Sequence, residues 1–298
     1  MRQGRASDLP GLVELWREDV RAGRRDCVPG EAQIRSMMAS FDWEARSRFV
    51  DGAGGTLDGA ALVFNRATEL PTTIAAVEAS VIAGRDELLN ELTRWGFGLS
   101  RAAGAGAVQV WRGSSNADEL EKLGLELIRM WWRMDRSLGP EPLRPPSPVA
   151  GYRLGDATTA PSEMWADVHN RAFADHWRFF PRTERELMAG RPPELSLIAV
   201  ATDESPAALT LAQIEVYPGD LRPQPVGVIS SVGTLPEHRR RGLATWVVAE
   251  ALARLHSRGA RSASLYVDGQ SPMRAFDAYR KLGFELAFET EVWEATFR

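Results

Sequence analysis

The chain has 298 residues, 44% of them hydrophobic, and a formal net charge of −4 at pH 7. That length suffices for two domains, and the acidic balance argues against nucleic acid as partner, because binding a phosphate backbone requires a broad basic face. No run of eighteen apolar residues occurs and the first residues lack the apolar core of a signal peptide, so neither a membrane partner nor export is expected and the expected location is the cytoplasm.

In chain order, the first feature is Arg2-x-Gly4-x-Ala6. Cys27 follows; as the sole cysteine it excludes an intramolecular disulfide and a thiolate metal cluster, and no Cys-His pattern supports it as a nucleophile. No His-Glu-x-x-His spacing exists either, so no metal is expected. Ala75 to Ile82 reads as an apolar strand that passes through Ala83-Gly84-Arg85-Asp86 into a helix over Glu87–Leu99. Asn116 with Glu119 suggests a capped helix start, and Lys122-Leu123-Gly124-Leu125-Glu126-Leu127 and Trp131-Trp132 follow. Residues 139–148 hold five prolines, too dense for a helix or a central strand, and read as a stiff linker.

Beyond the linker the sequence repeats itself. Arg153-x-Gly155-x-Ala157 echoes Arg2, and Lys281-Leu282-Gly283-Phe284-Glu285-Leu286 echoes Lys122, 159 residues later. Two echoes in the same order around a proline linker indicate duplication. The expected layout is a first domain over 1–138, a linker over 139–150 and a second domain over 151–298.

Within the second domain, 161–173 is a helix candidate and Thr183-x-x-Glu186 opens another through a capping box. Between them, His169 and His176 lie beside Trp177, Phe179 and Phe180. Their imidazoles titrate near neutrality, which makes them candidate bases in an acceptor pocket. Glu215 ends the apolar segment Ala208 to Ile214 and is a third candidate. Then comes the most informative stretch: an apolar strand, Val226 to Val232, a proline-marked turn, Arg239-Arg240-Arg241-Gly242-Leu243-Ala244-Thr245, and a helix with Leu243, Val247, Ala251 and Leu255 on one face. A helix start offers unpartnered N–H groups and the positive end of a dipole, while Gly242 removes the Cβ that would hold a ligand away. The geometry suits a diphosphate. Neither a Walker loop nor a Gly-x-Gly-x-x-Gly fingerprint is present. The strand Ala263 to Val267 follows, then Asp268-Gly269, a helix opened by Ser271-Pro272 and closed by Gly283.

Here the chain resembles the GCN5-related N-acetyltransferase (GNAT) superfamily. The resemblance rests on Arg239-x-x-Gly242-x-Ala244 and on Ala275-x-x-x-Tyr279-x-Lys281-x-Gly283-Phe284, in order and about forty residues apart. It implies an α/β fold of two tandem GNAT-like domains, each a mixed twisted sheet flanked by helices and packed side by side, similar in layout to the mycothiol synthases. It implies acetyl-CoA as co-substrate, held by Arg239, Arg240, Arg241, Gly242, Leu243, Ala244 and Thr245. Ser271 or Pro272 stands where the family commonly opens its second motif with asparagine. It implies an oxyanion contact from the backbone at Val232, Gly233 or Thr234, and Tyr279 as general acid toward the departing sulfur; Glu215 or His176 would serve as base unless water relays the proton. The first half lacks the arginine-glycine loop and a tyrosine matching Tyr279, so chemistry is expected in the second. The expected reaction is direct transfer of acetyl to a primary amine of a small molecule in a ternary complex. The alternatives are a catalytically weak acyl-CoA-binding or regulatory module, and aminoacyl transfer from tRNA, which the acidity disfavours.

Overall fold

The computed structural model describes residues 1–66, 73–113, 117–217, 220, 222–270 and 275–297. The first half runs β1 (Arg2–Gln3), α1 (Leu9–Arg21), α2 (Glu31–Met38), α3 (Trp43–Arg46), β2 (Ser47–Asp51), β3 (Leu57–Arg66), β4 (Ile74–Val81), α4 (Asp86–Ala102), β5 (Ala107–Gly113), α5 (Ala117–Lys122) and β6 (Glu126–Ser137). The second runs β7 (Tyr152–Asp156), α6 (Glu163–Phe173), α7 (Glu184–Met188), β8 (Leu197–Ala201), β9 (Pro206–Glu215), β10 (Val226–Thr234), α8 (Leu243–Ser257), β11 (Ser262–Asp268), α9 (Ala275–Lys281) and β12 (Glu285–Thr296). Residues 139–150 form neither helix nor strand. Asn116, expected to open a helix, lies outside the described residues, as do Ser271 and Pro272.

The twelve strands form one mixed sheet in the order β1-β2-β3-β4-β5-β12-β6-β11-β10-β9-β8-β7. The two halves are therefore joined through one continuous sheet by an exchange of strands. Strand β6, from the first half, pairs with β11 of the second, Ser137 opposite Ser262 and Trp131 opposite Asp268. Strand β12 returns the exchange by pairing with β5, Thr296 opposite Ala107 and Thr290 opposite Gly113. The two exchanged strands also pair with each other, Trp131 opposite Thr290. Those two residues are 159 positions apart, the same spacing as the Lys-Leu-Gly repeat, so equivalent residues face one another across a pseudo-two-fold axis. The physical cause is edge protection. Without the exchange, β5 and β11 would each present an unpaired row of N–H and C=O groups, and pairing across the seam satisfies both rows at once.

Helices cover both faces. Leu243, Val247, Ala251 and Leu255 of α8 are buried, as their helical spacing predicts, in a core shared with Ile229, Ala263 and Leu265. Close approach is enforced at Gly227, where a Cβ would lie 2.7 Å from Leu255 Cδ1. On the opposite face Trp165, Val168 and Ala172 of α6 pack on Ile198, Leu209 and Leu211.

Because each half is completed by a strand of the other, fragments 1–138 and 151–298 produced separately should fail to give cooperative thermal transitions. Mixed or co-expressed, they should recover one transition and elute as a single complex. Two independently cooperative fragments would contradict the exchanged topology.

Candidate active site

The parallel ladder between β10 and β11 runs only from Val226 opposite Ser262 to Ile229 opposite Leu265, although β10 continues to Thr234 and β11 to Asp268. At that point the pairing of β10 with β9 slips between Ile229 and Ser231, a bulge that bends β10 away from β11. A gap opens in the sheet, and Ser230 is exposed in the middle of a central strand. Beyond the bulge, the Leu235 N–H donates to the Ala207 carbonyl at 2.9 Å. Alternation along an antiparallel ladder then turns the N–H groups of Gly233 and Ser231 toward β9, and those of Val232 and Thr234 into the gap. Of the three backbone positions expected to meet an oxyanion, Val232 and Thr234 face the gap and Gly233 does not. Gly233 serves packing instead, since a Cβ there would meet Ala172 Cβ at 2.9 Å and the Phe173 ring at 3.0 Å.

The loop 235–242 connects the gap to α8. Arg240 (φ 64°) and Gly242 (φ 84°) both adopt left-handed conformations, and Gly242 is the helix N-cap with no side-chain bond across it. The first bond into the helix is from the Trp246 N–H to the Gly242 carbonyl at 3.0 Å, so the N–H groups of Leu243, Ala244 and Thr245 lie in the turn that has no internal acceptor. A Cβ on Gly242 would find nothing within 4 Å. The three arginines divide. Arg239 turns inward, Nε donating to the Thr234 carbonyl (3.1 Å) and Nη2 to the Ala172 carbonyl (3.4 Å), and so fixes the loop to α6. Arg240 and Arg241 are exposed, Arg241 donating to the Tyr152 hydroxyl at 3.1 Å. His238 Nδ1 meets the same hydroxyl at 3.0 Å and braces the turn.

Tyr279 lies buried on α9, edge-on to Phe284 with centroids 6.3 Å apart. Burial raises its phenol above the ordinary value, which keeps the proton on at neutral pH. Glu215 pairs with Val226, four residues before Ser230, so it stands roughly 13 Å down the strand from the bulge; its Oε1 accepts from Gln213 Nε2 at 2.6 Å. His169 and His176 flank Phe173, with centroids 4.8 and 4.7 Å away. His169 is buried and His176 exposed. Burial, then Asn170 in opposition, then the nearby Arg182 and Arg191 charges set the His169 imidazole, with a net shift downward that favours the neutral ring. Cys27 lies in the first half, and burial and the adjacent Asp26 push its thiol up to about 12. Arg191, in the segment after α7, donates to the Ser230 hydroxyl at 3.2 Å and has no sequence motif to mark it. Its only sequence signal is an arginine before Pro192-Pro193, which has no chemical signature.

The first half repeats the gap without the loop. Its parallel ladder, Ile74 opposite Ala107, ends at Val77 opposite Val110, while β4 runs to Val81 and β5 to Gly113. The cavity beside it, about 460 Å³, is lined by ion pairs: Arg24 Nε to Asp19 Oδ1 at 2.7 Å and Arg25 Nη1 to Glu78 Oε2 at 3.1 Å. Residues 82–85 lead directly into α4.

The second half thus brings together a splayed parallel strand pair, a left-handed glycine at a helix start and a buried phenol on the following helix. Residues 154–287 match the model of the acetyltransferase (GNAT) domain. A mycothiol acetyltransferase of Thermobispora bispora is 32% identical over 172 residues, 54% of this chain and 55% of that protein. One from Kytococcus sedentarius is 29% identical over 174 residues, 55% and 56% of the two chains; the match thus spans about half the length of these curated relatives. Among solved structures, a GCN5-related N-acetyltransferase from Sphaerobacter thermophilus superposes with a TM-score of 0.80 at 24% identity, covering 100% of this chain and 95% of that one. A tandem GNAT protein from the clavulanic acid biosynthesis pathway gives 0.69 at 18% identity, covering 99% and 97%. Residues 154–287 thus match the acetyltransferase (GNAT) domain, and the chain as a whole shares the fold of these solved proteins.

The Cys27 environment makes a direct prediction. With its thiol held near 12, iodoacetamide at pH 8 should alkylate the folded chain at least ~100-fold more slowly than the denatured one. Rapid labelling of the folded protein, followed by mass spectrometry, would reopen a covalent cysteine route.

Proposed function

We propose that the protein is an N-acetyltransferase that moves the acetyl group of acetyl-CoA to a primary amine of a small molecule, without a covalent enzyme intermediate. The carrying observation is the junction of gap and loop: free N–H groups at Leu243 to Thr245 lie at one end and inward N–H groups at Val232 and Thr234 at the other. The names of the curated relatives support a small-molecule acceptor.

When bound, acetyl-CoA supplies the electrophilic thioester carbonyl. The first turn of α8 and the exposed Arg240 and Arg241 hold the diphosphate by N–H donation and charge. The Val232 N–H donates to the oxygen that becomes negative as the amine nitrogen bonds to the acyl carbon. His169, whose burial favours the neutral ring and which lies beside Phe173 near β10, is the base we assign to take the amine proton directly or through a water. Glu215, at roughly 13 Å along the strand, would need several waters to do so, and His176 is exposed. Tyr279 returns a proton to sulfur as the carbon–sulfur bond breaks. The N–C bond formed balances the C–S bond lost, and one proton moves from nitrogen to sulfur.

Three variants separate these roles. Gly242→Val, which places a branched residue in a left-handed conformation, should weaken acetyl-CoA uptake at least ~10-fold by titration calorimetry, since both strain and the added bulk oppose binding. Tyr279→Phe should lower kcat by about 100-fold with little change in the KM for acetyl-CoA. His169→Gln should lower kcat by a similar ~100-fold factor, against less than ~3-fold for Glu215→Gln. If the intact chain takes up no acetyl-CoA, the assignment is wrong; uptake without acetylation of any amine would favour a binding module.

A further inference from the structure

We infer that Arg191 is the receptor for a carboxylate on the acceptor, so that the amine acetylated belongs to an amino-acid-like molecule. The inference rests on the acetyltransferase assignment and narrows its substrate class.

Arg191 lies in the segment after α7, half-buried, and its guanidinium reaches the point where β10 leaves β11. Nη1 donates to the Leu187 carbonyl and Nη2 to the Ser230 hydroxyl at 3.2 Å. Nε is buried and has no partner among the described residues. No carboxylate among them pairs with this guanidinium, and burial alone acts on its charge, pulling its proton affinity down. Arg182 and Arg191 both act on His169, and Glu186 stands 3.9 Å from Arg182. A half-buried cation with an unused donor and no counter-ion is costly unless something else supplies the anion. Three other arginines of the fold are neutralised by carboxylates: Arg25 by Glu78, Arg178 by Glu294 at 2.6 Å and Arg222 by Asp220 at 2.6 Å.

The location decides what that anion is. Ser230 is the bulged, exposed residue at the apex of the gap, where the acyl carbon must lie for the Val232 N–H to reach its oxygen. A carboxylate against Arg191 therefore sits within one small molecule's length of the reacting carbon. The diphosphate is excluded, because its loop begins beyond Thr234, four residues or roughly 13 Å past Ser230. A carboxylate at the end of the acyl group remains as a second source of the same chemistry. The acceptor is favoured because Arg191 comes from the α6–α7 side of the sheet, beside Phe173 and His169, and not from the α8 side that carries the carrier loop.

The test uses the full chain, acetyl-CoA, and matched acceptors: a series of amino acids, each beside its carboxamide. The unaltered protein should favour each acid over its amide by at least ~30-fold in kcat/KM, mostly through KM, since a buried charge receptor rejects the uncharged analogue. Arg191→Gln should collapse that ratio to near one, and Arg191→Lys should leave it intermediate. Succinyl-CoA in place of acetyl-CoA reports the other source. Equal turnover of acids and amides, an undiminished ratio in Arg191→Gln, or a preference for succinyl-CoA that Arg191→Gln abolishes would each overturn the inference. Acetyl-CoA uptake with acetylation of uncharged amines only would overturn it while sparing the acetyltransferase assignment; no uptake at all would remove both.

Discussion

A parallel strand pair that separates partway along its length is the constraint on which the second half depends. Within a sheet every inward N–H is committed to a neighbour, so no ligand can be read by the backbone. The slip at Ser230 breaks that rule at one place, and it does so next to a helix start whose own donors are uncommitted. One local irregularity thus produces two rows of free donors aligned along a single strand. The loop then needs only to span 235–242, and two left-handed residues, Arg240 and Gly242, turn it sharply enough to do so.

The exchange of β6 and β12 makes this opening affordable for the fold as a whole. Opening the ladder between β10 and β11 removes pairing from the outer part of β11, which then relies on its other neighbour. That neighbour is β6, paired with β11 over its full length from Ser262 to Asp268. Strand β5 is held in the same way by β12. The seam is further fixed by side chains: Arg178 bonds Glu294, Arg133 donates to the Asp26 carbonyl at 2.6 Å, and Tyr266 donates to Asp26 at 2.5 Å. The rigid frame sits in the centre of the sheet and the two openings lie on either side of it.

Local signals carried much of this into the sequence. Periodicity placed β4, α4, β9, β10, α8 and β11, because each has one dominant face or a continuous apolar run. Glycine conformation and helix-start chemistry placed the loop at Gly242. The repeat of Lys-Leu-Gly revealed the duplication, yet not the exchange. Which strand follows which is written locally, whereas partner choice depends on which edge is left bare in three dimensions. The bulge was equally hidden, since Ile229-Ser230-Ser231 has no residue that demands an irregular backbone. Arg191 escaped for a related reason: a buried cation is recognised by its missing partner, and absence of a partner is a property of space.

The two halves show why one gap suits a substrate and the other does not. Both ladders open after four pairs, so Glu78 on β4 occupies the position of Ser230 on β10. In the first half that position is a carboxylate, and Arg25 answers it across the cavity; Trp16 stacks on the same guanidinium at 4.7 Å. The charges are matched internally, and a ligand entering there would have to displace an ion pair that is already desolvated. In the second half that position is a hydroxyl, the arginine facing it has no carboxylate partner among the described residues, and the loop 235–242 follows the strand. The first cavity is thus neutralised internally, whereas the second half keeps an arginine with a spare donor beside its gap. The divergence of the duplicated halves is therefore a redistribution of charge at a shared backbone feature.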